Sequence, residues 1–314
     1  MTNCLITGGL GFIGSNFANR VVDMFNQVVI LDKMSYSSSK KYIKSSNIQI
    51  IVGDISNREL IKYILDKYDI NLIVNFAAES HVDNSFYNSL NFTENNVVGT
   101  HILMETAKIY NEETGSLKKF IHISTDEVYG EVRDNIARHE DDVLRATNPY
   151  AATKAAAEMI ALSYYHSYNF PVIITRSNNI YGIHQHEEKV IPSFITKSLK
   201  GEKLNIQGRG EAKRSFLHVE DLNNALLIII DKGEIGQRYN IGSSCEYTVK
   251  ELADIILSLF ELPSTYINYI EDRHFNDIRY HICTKKIEAL GWKQQKNDFI
   301  EELKVLIEWY KQYY

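Results

Sequence analysis

Residues 4–22 read CLITGGLGFIGSNFANRVV, and this stretch decides the fold. A short apolar run, Cys4 to Thr7, stops at a pair of glycines. Glycine recurs at Gly8, Gly11 and Gly14, and Ile13, Phe17, Ala18, Val21, Val22 and Phe25 then recur at helical spacing. The pattern predicts a strand, a tight turn and a helix. Glycine permits positive φ in the turn, and a missing side chain lets backbone amides approach a bound group. The helix start adds free N–H donors and partial positive charge, so the loop suits a pyrophosphate. A glycine pattern alone is weak; its place between a strand and a helix gives it weight.

Outward from this loop, β-branched runs at 28–31, 49–52, 72–76, 120–123 and 172–175 alternate with helical patterns. That alternation predicts a parallel sheet covered on both faces. The second run ends in VVILDK and places Asp32 18 residues after Gly14. An acidic residue there holds the adenosine ribose hydroxyls and repels the extra phosphate of NADP, so NAD is the expected cofactor. Asp54, in IIVGDIS, is a candidate adenine contact, although Gly-Asp is also ordinary turn chemistry. After Arg176 the pattern changes to helical stretches at 190–199, 220–231, 249–260 and 299–310, separated by glycine-containing turns and short strands. No flexible linker divides the halves. The expected organisation is a unit over 1–177, with 214–240 returning to it, and a lobe made of 178–213 and 241–314.

The chain has 314 residues, 44% hydrophobic and 24% charged, with a net charge of −6. This is a globular composition with no nucleic-acid surface, and an anionic ligand needs a local basic pocket. Three cysteines, Cys4, Cys245 and Cys283, are far apart and match no metal spacing. An odd count argues against a disulfide framework and for a reducing compartment. No basic start precedes an apolar stretch, and the longest apolar run, 225–230, is too short to span a bilayer. The expectations are a cytoplasmic protein with no metal, no membrane and no nucleic-acid partner.

The reactive groups come from two segments. Tyr150 and Lys154 share a helix face in NPYAATKAAAE. A cation there is expected to lower the tyrosine pKa from about 10, so that the phenol takes a proton from a hydroxyl as a hydride leaves the same carbon. KFIHISTDEVYG ends a strand in Thr125, Asp126 and Glu127, at the sheet edge where ligands bind. Thr125 can donate to the oxygen being oxidised. Adjacent carboxylates repel, so one tends to keep its proton; an acid and a base in one place is what an elimination of water requires.

At this point the chain resembles the extended short-chain dehydrogenase/reductase superfamily, and within it the nucleoside-diphosphate-glucose 4,6-dehydratases. The residues that carry the resemblance are GGLGFIGSN, FAAESHVDNS, HISTDEVYG, NPYAATKAAAE, NNIYG, EEKVIP and RSFLHVEDL, in the family's order over nearly the whole chain. It implies a doubly wound α/β (Rossmann) sheet with a smaller mixed α/β substrate-binding lobe. It implies that Tyr150 and Lys154 act at sugar carbon 4, that Glu127 removes the carbon 5 proton, and that Asp126 protonates the departing carbon 6 hydroxyl. NAD contacts are implied at Gly8, Gly11, Phe12, Ile13, Gly14, Asp32, Asp54, Ile55, Ala77, Ala78 and Asn95, besides Tyr150 and Lys154. Substrate contacts are implied at Ser80, Thr125, Asn179, Lys189, Arg214, Arg273 and Asn276, and His81 reads as structural. VDNSF, TRSNNIYG, KGEIG and FNDIRY look more like the dehydratase domain of plant rhamnose synthases than like the bacterial dTDP-glucose enzymes. The expected substrate is therefore UDP-glucose, with dTDP-glucose next. Residues 184–187 depart from the family's usual segment. A homodimer through the helix carrying Tyr150 and the one before it is expected, with Ala155, Ala156, Met159 and Ile160 on its apolar face. An epimerase on the same scaffold and a non-catalytic NAD-binding protein are the alternatives.

Overall fold

A computed structural model describes residues 2–272 and 275–312. The strands are β1 (Asn3–Thr7), β2 (Gln27–Asp32), β3 (Ile48–Val52), β4 (Leu72–Asn75), β5 (Lys119–Thr125), β6 (Val172–Ser177), β7 (Asn179–Tyr181), β8 (Leu204–Gln207), β9 (Lys213–His218), β10 (Arg238–Ile241), β11 (Glu246–Thr248) and β12 (Ile267–Ile270). The helices are α1 (Phe12–Val21), α2 (Arg58–Tyr68), α3 (Val82–Tyr87), α4 (Ser89–Phe92), α5 (Thr100–Thr114), α6 (Pro149–Tyr168), α7 (Val190–Leu199), α8 (Val219–Lys232), α9 (Val249–Leu259), α10 (Lys285–Ala289) and α11 (Phe299–Lys311).

Seven strands form one sheet in the order β10-β6-β5-β4-β1-β2-β3, every pair parallel. This is the doubly wound arrangement, and all six strands expected from the first half lie in it. The seventh, β10, comes from far down the chain and closes one edge. Strand alternation sorts the core. Cys4, Ile6, Val28, Ile30 and Val74 face α1 and α8, while Leu5, Val29, Leu31 and Ile73 face α2, α5 and α6. The strand order reverses between β1 and β4, and a crevice opens there at the carboxyl ends.

The remaining strands make a three-stranded sheet, β11-β9-β7, and a pair, β12-β8. With α7, α9 and α11 they enclose a separate apolar core that includes Ile195, Leu204, Ile256 and Leu303. Within the returning segment 214–240, β9 joins the small sheet, α8 packs on the main sheet's helical layer and β10 joins the main sheet. Among the described residues no helix is long and apolar enough to cross a membrane.

Candidate active site

The turn after β1 shows why glycine is required there. Gly8 sits at φ +66, and a Cβ on it would meet Ala77 N at 2.7 Å. A Cβ on Gly14 would collide with Gly8 O, so strand, turn and helix touch backbone to backbone. Gly11 caps α1 with no side-chain hydrogen bond, and the first turn of the helix carries no acidic residue. A Cβ on Gly11 would meet little but Gly8 O at 3.4 Å, so this side of the turn is open. The cradle fits the diphosphate of a dinucleotide, with amides free to donate and no carboxylate to repel it.

Asp32 is buried at the end of β2 and does two things. Its Oδ2 accepts from Leu10 N at 2.9 Å and its Oδ1 from Met34 N at 2.7 Å. It therefore ties the glycine turn to the next loop while lining the cleft. Asp54 also lines the cleft, with Oδ1 accepting from Ser56 N at 2.8 Å. Lys33 pairs with Glu79 at 2.9 Å and donates to Asn95 Oδ1.

One cleft of about 650 Å³ gathers both sets of expected residues. Gly8, Gly11, Phe12, Ile13, Gly14, Asp32, Asp54, Ile55, Ala77, Ala78 and Asn95 line it at the switch point. Thr125, Glu127, Tyr150 and Lys154 line it too, as do Ser80, Asn179, Lys189, Arg214 and Asn276. Lys189 Nζ donates to Ser80 O at 2.8 Å, and Arg214 donates to Asn276 Oδ1 at 3.2 Å. Arg273 lies outside the described residues. His81 caps α3 by accepting from Asn84 N at 3.3 Å.

Asp126 is not among the residues that line the cleft; it lies behind Thr125 and is 2% exposed. Its Oδ2 accepts from Asn178 Nδ2 at 2.7 Å and its Oδ1 from Thr125 Oγ1 at 3.3 Å. Burial first, then the Glu127 charge, raise its pKa to about 7, against the Asn178 hydrogen bond. Glu127 is also raised, chiefly by burial, with Asn148, Arg214 and Lys189 opposing. Two carboxyls at one strand end are thus both biased towards holding protons.

The expected lowering of the Tyr150 pKa by Lys154 is not found. Burial, then the Glu127 and Asp126 charges, push the phenol well above its ordinary value, against a hydrogen bond from Thr125. Lys154 is 3% exposed and its Nζ donates to Ile123 O at 2.7 Å. Desolvation lowers the Lys154 pKa to about 8, while Glu158 one turn along opposes. Helical spacing put the two residues on one face, but burial first and then the Glu127 and Asp126 charges set the titration of the phenol.

Several contributors went unread in the sequence. Asn148 caps α6 by accepting from Ala151 N at 2.8 Å, and its Nδ2 donates to Glu127 Oε2 at 3.0 Å. Asn-Pro before a helix is a cap signal that could have found it. Asn178, Asp277 and Tyr280 lie in irregular segments whose pairing no local pattern announces.

The fold and site have close relatives. The chain is 44% identical over 317 residues to a trifunctional UDP-glucose 4,6-dehydratase/UDP-4-keto-6-deoxy-D-glucose 3,5-epimerase/UDP-4-keto-L-rhamnose-reductase of Arabidopsis thaliana; the match covers 98% of this chain and 47% of that protein. The chain thus spans about half the length of the plant relatives it matches. A dTDP-D-glucose 4,6-dehydratase of Dictyostelium discoideum is 39% identical, with 98% of this chain and 81% of that protein covered. The crystal structure of a dTDP-glucose 4,6-dehydratase from Bacillus anthracis in complex with NAD superposes with a TM-score of 0.90 at 35% identity, covering 99% and 97% of the two chains. The model of the family described as GDP-mannose 4,6 dehydratase matches residues 5–303, a span that takes in the glycine turn, the Thr125–Glu127 strand end and most of the second lobe, and the chain belongs to that family.

Proposed function

We propose that this chain is an NAD-dependent dehydratase that converts a nucleoside-diphosphate-glucose into its 4-keto-6-deoxy form. UDP-glucose is the favoured substrate, with dTDP-glucose next, and the product feeds rhamnose-type deoxysugar synthesis. The observation that carries the reading is the strand end Thr125-Asp126-Glu127, of which Thr125 and Glu127 share a cleft with Tyr150, Lys154 and the glycine cradle while Asp126 is hydrogen-bonded to Thr125. In this reading the unit built on the seven-stranded sheet holds the cofactor and the smaller lobe holds the sugar nucleotide.

NAD, when bound against the cradle and Asp32, supplies a hydride acceptor that also returns the hydride. The chain's own residues do the rest. Tyr150 takes the proton of the carbon 4 hydroxyl, which requires the phenol, held protonated by burial and the neighbouring carboxylates, to be ionised first, and Thr125 donates to that oxygen. Lys154 anchors the α6 face beneath them through Ile123 O. The carbon 4 ketone acidifies the hydrogen on carbon 5. Glu127 removes that proton as the carbon 6 hydroxyl leaves as water with a proton from Asp126. Holding a proton near pH 7 suits Asp126 to this step, and doing it requires an oxygen now held by Asn178 to face the cleft. Lys189 and Arg214 suit the substrate diphosphate.

UDP-glucose and dTDP-glucose, each incubated with the purified protein, test the reading by mass spectrometry. Loss of one water without accumulating NADH is expected, faster with UDP-glucose. Burial of Asp126 behind the cleft favours a second reading, an epimerase on this scaffold. That enzyme would tolerate Asp126→Asn and Glu127→Gln, whereas the dehydratase would lose elimination in each. Met159 on α6 is 56% exposed, which suits a homodimer through α5 and α6; a monomer mass by sedimentation at micromolar concentration would count against it.

A further inference from the structure

Glu127 has a second layer of polar partners. Its Oε2, besides accepting from Asn148, lies 3.4 Å from the Tyr280 hydroxyl. The same hydroxyl donates to Asp277 Oδ2, which also accepts from Thr147 Oγ1 at 2.6 Å. Both donors fall on one oxygen, and Asp277 Oδ1 is buried with no hydrogen-bond partner. Asp277 is 2% exposed and Tyr280 is 5% exposed. A buried carboxyl with one bare oxygen costs stability, and a native protein is expected to keep one where function needs it.

A phenol carries one hydrogen. Burial first, then the Glu127 charge, push the Tyr280 pKa far up, so that hydrogen stays in place. It can point to Glu127 or to Asp277, not to both. With Glu127 ionised, the hydroxyl can donate to it. Once Glu127 holds a proton, the hydroxyl can turn to Asp277 and its lone pair can accept the new Glu127 O–H. The dehydration needs both states of Glu127, because the carbon 5 proton leaves and the product carries hydrogen there again. We propose that Tyr280, held by Asp277 and Thr147, is a positioning residue that satisfies Glu127 in both protonation states during proton removal and return at carbon 5.

The inference rests on the dehydratase reading. The groups around Glu127 are Asp126 and Tyr150, Arg214 and Lys189, whose charges lower its pKa, and Asp277, whose charge raises it. Arg214 lies over the Tyr280 ring, 4.8 Å from its centroid, and a phenylalanine keeps that contact.

The test compares holoenzyme of the wild type, Tyr280→Phe, Asp277→Asn and Thr147→Val, using the sugar nucleotide the wild type dehydrates, with and without deuterium at carbon 5. Tyr280→Phe is expected to lower kcat about ten- to hundredfold, with KM within about twofold, and to enlarge the carbon 5 isotope effect. In Asp277→Asn the acidic limb of the pH–rate profile should move to lower pH, because a charge that raises the Glu127 pKa is gone. Its thermal midpoint should hold or rise. An unchanged kcat in Tyr280→Phe overturns the inference. So does a lower midpoint in Asp277→Asn with an unmoved profile, which would mark a structural role. Should Tyr280→Phe fail to fold, the isotope effect and pH profile of the other two variants decide by the same criteria. A wild type that dehydrates neither substrate ends the dehydratase reading and this inference with it, whereas an active wild type with indifferent variants ends the inference alone.

Discussion

At the scale of single residues, Asp126 links stability and rate through one proton. Its ordinary value is 3.8 and its folded value is about 7, raised by burial and then by the Glu127 charge. A raised carboxyl contributes stability that is fully present below about pH 4 and is lost as pH rises through about 7. Asp126→Asn removes that titration. Its thermal midpoint relative to the wild type should therefore climb between about pH 4 and 7, by an amount worth at most ~4 kcal/mol before relaxation. A flat difference across that range would show that Asp126 ionises normally. In the proposed acid role the rate has the same need, because an acid must hold its proton, so wild-type dehydration should also decline above about pH 7. Glu127→Gln should lower dehydration by about 10²–10⁴-fold without loss of folding, read by the same water-loss assay. Thr125, Asp126 and Glu127 were legible because a strand end followed by acidic residues is a local pattern. The environment that sets Tyr150 was not, since its dominant charges come from another segment brought close only by the fold.

At the scale of elements, α6 shows how a helix start sets the site. Asn148 stands outside the helix with extended backbone, φ −133 and ψ 161, and Pro149 occupies the first turn. The side-chain oxygen serves Ala151 N and the amide nitrogen serves Glu127, so one side chain fixes both the helix register and the Glu127 carboxyl. Asn148→Ala should cost ~1 kcal/mol of stability, read by denaturant midpoint, and should also lower activity. Asn148→Asp separates the two roles. It keeps the cap, so stability should stay within ~0.5 kcal/mol, but it faces Glu127 with a second carboxylate and should depress dehydration much more. Equal activity in the two variants would confine Asn148 to capping. The helices at Val190–Leu199, Val219–Lys232, Val249–Leu259 and Phe299–Lys311 were readable from apolar spacing within a residue or two. The short strands β7, β9, β11 and β12 were not placed individually. Strands of three to six residues carry too few alternations to set pairing partners, and theirs are remote in sequence.

At the scale of the whole molecule, a buried ion pair links the motifs. Arg176 on β6 and Glu158 on α6 are 2% and 0% exposed, and the guanidinium donates to both carboxylate oxygens, at 2.6 Å from Nη2. Arg176 also donates to Tyr129 OH at 2.6 Å, in the turn that follows the reactive strand end, and to Glu140 O at 3.0 Å. Tyr129 OH in turn donates to Asn240 on β10, the edge strand from the far part of the chain. This network joins the strand end, the helix of Tyr150 and Lys154, and the last strand of the sheet. No single-sequence pattern could show it, since Arg176 read only as the point after which the pattern changes and as part of TRSNNIYG. Its removal has a definite sign. Glu158→Gln leaves the Arg176 charge buried and uncompensated, so it should cost ~3–5 kcal/mol by chemical denaturation. Arg176→Met with Glu158→Leu removes both charges and should fall well short of the sum of the two single losses. Glu158 also opposes the desolvation that lowers Lys154 to about 8. In Glu158→Gln the lysine should therefore lose its proton at lower pH, and a second alkaline loss of rate, beyond the Asp126 limb near pH 7, should move down relative to the wild type. Additive losses in the double variant, with an unmoved profile, would mean that the pair neither binds as a unit nor reaches the lysine.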